Sequence, residues 1–206
     1  PYLRLRAIYS WIAMNISFNL RYSLSISNAD NILENKKASS TEYSFLMHKM
    51  CTIAGLECEI IKGWGKSTPE HLTQMDWSQP NHSWIAVRIN DEWRYCDVSW
   101  GAGYTKEGRV ESYKQQFSDD YFNMSAEDIS LQHFPEESKW QRENSLSKED
   151  FEEMPLFYRN YFFLKIKGLN KQSKLLKKDI TGKITISFKT TEKVHSFLVN
   201  GVQRAW

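Results

Sequence analysis

The chain has 206 residues and a formal net charge of +2, with 25% charged and 14% aromatic residues. That length suffices for one well-buried domain, or one domain with a small appendage. The near-balanced, evenly mixed charge argues against nucleic acid as the main partner, and no apolar run reaches bilayer-spanning length. The sequence opens at Pro1 without a signal-like segment, so the compartment stays open, an extracytoplasmic or secreted one included. Cys51, Cys58 and Cys96 have neither a metal-ligand spacing nor a disulfide framework, and they read as buried thiols. Sequons at Asn15, Asn81 and Asn123 read as chance occurrences, although a glycan at Asn81 would crowd the adjoining His82.

Residues 2–18 place Leu5, Ile8, Trp11, Ile12 and Ile16 on one face, which predicts an amphipathic helix. The polar residues 23–35 read as a loop with short turns. Next, Ser39 followed by Glu42 is a capping-box pattern, which makes Ser40 the first residue inside a helix. Tyr43, Leu46, Met47, Met50 and Ala54 continue at helical spacing, and Gly55 stands where a left-handed cap is expected. This reads as a central, buried helix. Its amino end carries partial positive charge, which favours an anionic nucleophile or a developing oxyanion there.

Residues 56–63 alternate as a strand. Residues 64–80 read as a long surface loop, with Trp77 either a substrate-facing ring or a staple that holds the loop down. Residues 82–89 and 93–99 are two strands joined through Asn90-Asp91. If the turn centres there, paired residue numbers sum to 181 and Asp97 lies diagonal to His82. A slip of two puts them directly opposite, and either register leaves imidazole and carboxylate on one face. Trp100-Gly101-Ala102-Gly103 would end the strand in a tight glycine turn. A short helix is expected near residues 125–131. His133 reads as a packing or turn-bonding residue rather than a metal ligand. Residues 141–153 read as a charged connection in which Ser147 caps a short turn that holds Phe151. Residues 161–166, 180–188 and 194–199 read as strands, with Asn200-Gly201 a turn.

Together these pieces resemble the transglutaminase-like superfamily, whose pattern is Gly-x-Cys at the start of the central helix, a His-x-Trp strand and an Asp-x-x-Trp-Gly strand end. The corresponding residues are Ala38-Ser39-Ser40, then His82-Ser83-Trp84, then Asp97-Val98-Ser99-Trp100-Gly101. Residues from Tyr121-Phe122 through His133-Phe134-Pro135 and Lys139-Trp140-Gln141 to Phe151 and Pro155 resemble the extension of kyphoscoliosis peptidase-type members. The resemblance implies an α+β fold: a transglutaminase-like, papain-like core with a central helix packed on an antiparallel sheet, plus a C-terminal β-rich extension. The expected organisation is a core with its extension over residues 1–140, a connecting segment over 141–160, and a small β-module over 161–206, cut short at its end.

The resemblance also implies a thiol nucleophile, deprotonated by histidine, that attacks an amide carbonyl. Ser40 stands at that position, with His82 and Asp97 as its catalytic partners and Trp84, Trp100, Tyr104 and Trp77 lining a substrate cleft. A serine must lose its proton during attack and needs finer alignment and a stronger oxyanion hole. Cys51 lies eleven residues along the same helix, roughly 16 Å away, and neither Cys58 nor Cys96 is placed to substitute. The expected function is a non-catalytic domain, or pseudoenzyme, that binds a peptide or protein ligand. The alternatives are an active cysteine peptidase or transglutaminase-type acyl transferase whose Cys was replaced by Ser40, a Ser-His-Asp hydrolase, and a structural module. No cofactor and no metal are indicated, and the oligomeric state is open.

Overall fold

Helix α1 (Tyr2–Asn15) buries Leu5, Ile8, Tyr9, Ile12 and Ala13; of the expected stripe, Leu5, Ile8 and Ile12 are buried within it, Ile16 just past its end, and Trp11 only partly. A short strand β1 (Ser17–Phe18) follows and pairs in parallel with β2 (Lys37–Ala38). Between them lies helix α2 (Ala29–Asn35), where a loop was expected. Asn28 caps it by accepting the Asp30 N–H, and buried Ile32 anchors it, so one apolar contact and one cap outweigh a polar composition. The computed structural model describes residues 1–19, 28–72, 74–106, 109–141, 146–169, 173–174 and 176–191.

The central helix α3 (Ser40–Ile53) begins at the predicted residue, inside a capping box formed by Ser39 and Glu42. The Ser39 N–H and hydroxyl both donate to the Glu42 carboxylate, at 2.8 and 2.9 Å. Tyr43, Leu46, Met47 and Cys51 are buried against α1 in the largest apolar cluster. The turn after the helix uses Gly55 at φ +69°, the left-handed conformation that glycine adopts without steric cost.

The four-stranded antiparallel sheet contains β3 (Cys58–Gly65), β4 (His82–Ile89), β5 (Glu92–Cys96) and β8 (His133–Pro135), in the order β5-β4-β3-β8. Strand β3 thus runs two residues beyond expectation, and the following segment holds a short 3-10 turn at Pro69–Leu72. Asn90 and Asp91 have φ of 49° and 64°, as a two-residue hairpin turn of the primed type requires. One sheet face carries Ile85, Val87, Ile89 and Cys96 into the cluster with α1 and α3. The other carries Ile61, Trp84, Ala86 and Tyr95 against Tyr121, Met124, Ile129 and Trp140.

The expected continuation of β5 to residue 99 is instead a short helix α4 (Val98–Ala102), capped by the Asp97 side chain, which accepts the Trp100 N–H. Gly101 is required there by proximity rather than by backbone angle, since an added Cβ would lie 1.7 Å from the Tyr9 hydroxyl. A hairpin of β6 (Gly103–Lys106) and β7 (Arg109–Gln115) follows, where no strands were expected. Helix α5 (Ala126–Ser130) has Ser125 as its cap, close to expectation. Ser147 forms a capping box with Asp150 at the start of helix α6 (Lys148–Glu153), which buries Phe151.

The strand reading at residues 161–166 is corrected: helix α7 (Arg159–Phe163) occupies it, closed by Lys165 at φ 49°. At residues 180–188 the described backbone forms no strand, and the nearby pairing is an isolated bridge between Lys167 and Lys189. Apolar alternation there pairs with no sheet among the described residues, and Ile180 is fully exposed. The expected strand at 194–199 and the turn at Asn200-Gly201 lie outside the described residues. Among the described residues no helix is long and apolar enough to cross a membrane.

Candidate active site

Pairing of Ile85 with Cys96 sets the β4–β5 register at the sum of 181. Asp97, one residue past β5, therefore falls diagonal to His82 on the same face. Its carboxylate is 1% exposed and is surrounded by donors. Oδ2 meets His82 Nε2 at 2.6 Å and His133 Nε2 at 2.9 Å, while Oδ1 accepts from the Ser99 hydroxyl at 2.7 Å and the Trp100 N–H at 3.1 Å. Burial by itself would raise the Asp97 carboxyl, but the favourable electrostatics and hydrogen bonds of His82 and His133 outweigh it and hold the group well below the usual carboxylate range. Because a carboxylate only accepts, His82 presents Nε2–H to it, and in the neutral ring the lone pair then lies on Nδ1. Nδ1 has no hydrogen-bond partner among the described residues.

The His82 ring lies between Trp100, at 4.8 Å between centroids, and Trp84, at 6.2 Å. Gly65 makes room for it: an added Cβ would sit 3.1 Å from His82 Cγ and 3.1 Å from Trp100 Cζ2. Asn81 fixes that end of β3 by accepting the Gly65 N–H at 2.7 Å.

Ser40 occupies the amino end of α3 and is half-buried. One turn on, the Ser44 hydroxyl accepts a hydrogen bond from Ser83, the neighbour of His82, at 3.2 Å. The first turns of α3 are thereby held against the start of β4. No hydrogen bond joins Ser40 to His82 among the described residues.

The four expected cleft residues separate. Trp100 is half-buried beside His82, whereas Trp84 is 2% exposed and stands behind it, its ring edge-on to His133. Tyr104 lies on β6, 39% exposed. Trp77 packs among Trp64, Phe134 and Phe151 and donates its indole N–H to Glu152 at 2.6 Å, the surroundings of a staple rather than of a free ring.

The cysteines are all free, with Cys51 and Cys96 buried and Cys58 half-buried. Cys58 rests against the His48 carbonyl and the Thr52 hydroxyl on the last turns of α3, at the opposite end from Ser40. A hydrogen bond from Cys51 draws the Cys58 thiol below the usual thiol range.

His133 is the residue that sequence reading did not bring to this site. It reaches Asp97 because β8 pairs with the free edge of β3, Gly65 opposite His133. That pairing spans 68 residues of chain (133 less 65) and leaves no mark in local spacing. Its ring is fully buried and Nδ1 faces the Ile129 carbonyl at 3.3 Å. The donor-type atoms of His82, Asp97 and His133 lie within 4.8 Å of one another. The hydrogen bonds of both histidines to one carboxylate oxygen account for that closeness.

A family model described as the transglutaminase-like superfamily matches residues 1–98, the span that holds Ser40, His82 and Asp97. Residues 1–98 carry a transglutaminase-like core. The chain is 31% identical over 173 residues to the Lim and transglutaminase domain protein ltd-1 of Caenorhabditis elegans, covering 77% of this chain and 23% of that protein. It is 28% identical over 175 residues to Hillarin of Drosophila melanogaster (77% and 21%) and 24% identical over 207 residues to kyphoscoliosis peptidase of Mus musculus (97% and 31%). The chain thus spans less than a third of each of these relatives. Among solved structures, a putative cysteine protease from Cytophaga hutchinsonii aligns with a TM-score of 0.41 at 14% identity, over 57% of this chain and 36% of that one. The transglutaminase-like match ends before residue 133, so His133 enters the site from the chain beyond it.

Proposed function

We propose that this transglutaminase-like domain is catalytically silent in amide chemistry and serves as a peptide- or protein-binding module. The observation that carries the reading is the hydroxyl of Ser40 at the helix position where the family keeps its thiol. It has no hydrogen bond to His82 among the described residues. A thiol has an ordinary pKa near 8.5, within reach of a neighbouring imidazole and a helix terminus, but an alcohol does not ionise under the same influences. Without pre-alignment to Nδ1 of His82, the serine lacks the feature that lets a hydroxyl attack a carbonyl. Half-buried Trp100 beside His82 offers an aromatic contact for a peptide.

The test is ammonia release from glutamine-containing peptides, and peptide cleavage, by the unmodified protein, with peptide binding followed through tryptophan fluorescence. Background turnover together with saturable binding is the expected result. Turnover that disappears in Ser40→Ala would overturn the reading.

A second reading, an acyl-transfer site disabled only at its nucleophile, is favoured by the intact His82–Asp97 pair, its 2.6 Å contact and its available Nδ1. It predicts that Ser40→Cys gains amidase, peptidase or acyl-transfer activity at least about tenfold over the unmodified protein, because thiolate is so much the better nucleophile.

A further inference from the structure

The carboxylate of Asp97 serves two imidazoles through one oxygen, and the two differ in freedom. The His82 side chain is 7% exposed and sits at the end of its strand, while that of His133 is fully buried. His133 is fixed on three sides, by Asp97, by the Ile129 carbonyl and by edge contact with Trp84 at 4.8 Å. It is also stacked obliquely on Trp100, at 4.5 Å. We infer that His133 is a positioning residue: by donating from Nε2 to Asp97 Oδ2 it sets where that oxygen lies, and so fixes the ring orientation and the Nε2–H tautomer of His82.

The donor inventory supports this assignment. Both nitrogens of His133 face groups that only accept, a carboxylate and a backbone carbonyl. A neutral imidazole has one N–H to give. The carboxylate contact is shorter, 2.9 against 3.3 Å, and charge-assisted, so the proton belongs on Nε2. Burial pushes His133 below the ordinary histidine range, which keeps the ring neutral and the choice of tautomer meaningful. The other ionisable groups around Asp97 are Tyr9 from α1, Tyr43 from α3, Cys96 from β5 and Tyr121. Burial pushes every one of them upward, so they stay neutral and do not compete for the carboxylate charge. Four donors then hold Asp97, and only one of them, His82, has its other ring nitrogen free of a partner among the described residues.

This inference goes beyond the proposed function and is independent of whether Ser40 acts as a nucleophile, since it concerns the state of Asp97 and His82 alone. It is tested by NMR of the whole chain carrying isotopically labelled histidine and aspartate. In the unmodified protein at neutral pH, His133 and His82 should both show the Nε2–H tautomer. A proton on Nδ1 of His133 overturns the assignment without any mutation. In His133→Phe, which keeps a ring but loses the donor, the Asp97 carboxyl titration should move upward and His82 should become a tautomer mixture. In His133→Gln, whose amide can donate to the same oxygen, both should return toward the unmodified state. A folded His133→Phe protein with Asp97 and His82 unchanged would also overturn the proposal. If that variant fails to fold, the tautomers of the unmodified protein decide.

Discussion

Asp97 is a buried charge whose hydration is replaced by four donors, so its stability depends on all of them. Its folded pKa is depressed, so its stabilising contribution is complete above the ordinary carboxylate value, about 3.9, and is lost as pH falls below that toward the lower folded value. His133 acts in an adjoining window. Its folded pKa is lowered, so the unfolded chain binds the extra proton first, and stability declines as pH drops through about 6.5. Denaturant midpoints measured across the acid range should show both declines. Asp97→Asn should weaken the lower one and cost on the order of 3 kcal/mol at neutral pH. The positions of Ser40, His82 and Asp97 were legible in the sequence, because a capping box fixes the first and a hairpin register that arithmetic can restrict sets the other two on one face. His133 was not, since its partner is supplied by a strand pairing that only the folded sheet reveals. Trp77 was legible as a large ring in a loop, but its surroundings depended on Phe134 and Phe151 arriving from the extension.

Among the elements, α3 was the most readable, with its start, its apolar stripe and its glycine cap all encoded locally. Its capping carboxylate is 2% exposed, so Glu42 works as a buried acceptor for the Ser39 backbone and hydroxyl rather than as a surface charge. Glu42→Ala should leave that N–H orphaned and lower stability by about 2 kcal/mol, read as a shift in the urea midpoint. Elements that sequence misassigned share a cause. At residues 98–102 a helix replaced an expected strand end because one carboxylate, Asp97, captures the Trp100 N–H. At 29–35 a single buried isoleucine did the same work. In α7 the aromatic run alternates like a strand, yet Tyr161 and Phe162 pack against Phe157 and Tyr121 from a helical backbone. Tertiary contacts decide such short segments.

For the molecule as a whole, the question is what attaches the residues beyond the family match to the core. Lys66, 0% exposed just past β3, donates its ammonium to the carbonyls of Phe151, Glu152 and Met154 at 2.9, 3.0 and 2.5 Å. It thus closes the carboxyl end of α6, where a cation is also favoured by the helix dipole. Burial pushes the group down to about 8, which still leaves it charged at neutral pH. Lys66→Met removes all three bonds while nearly preserving volume. It should lower stability by about 3 kcal/mol and release α6 first, seen as early hydrogen exchange at residues 148–154.

The two glycines near the end of β3 bear on how this sequence can vary. Neither Gly63 nor Gly65 has a positive φ, and judged by backbone angle alone either would accept alanine. Yet a methyl at 63 would meet Trp84 Cη2 at 2.7 Å and the Phe134 carbonyl at 2.2 Å, and one at 65 would press on His82. Alternate positions on one strand point the same way, so this end of β3 presents a bare floor on which an indole and an imidazole lie side by side. A mutational scan should find these two smallest residues as intolerant as the rings they carry.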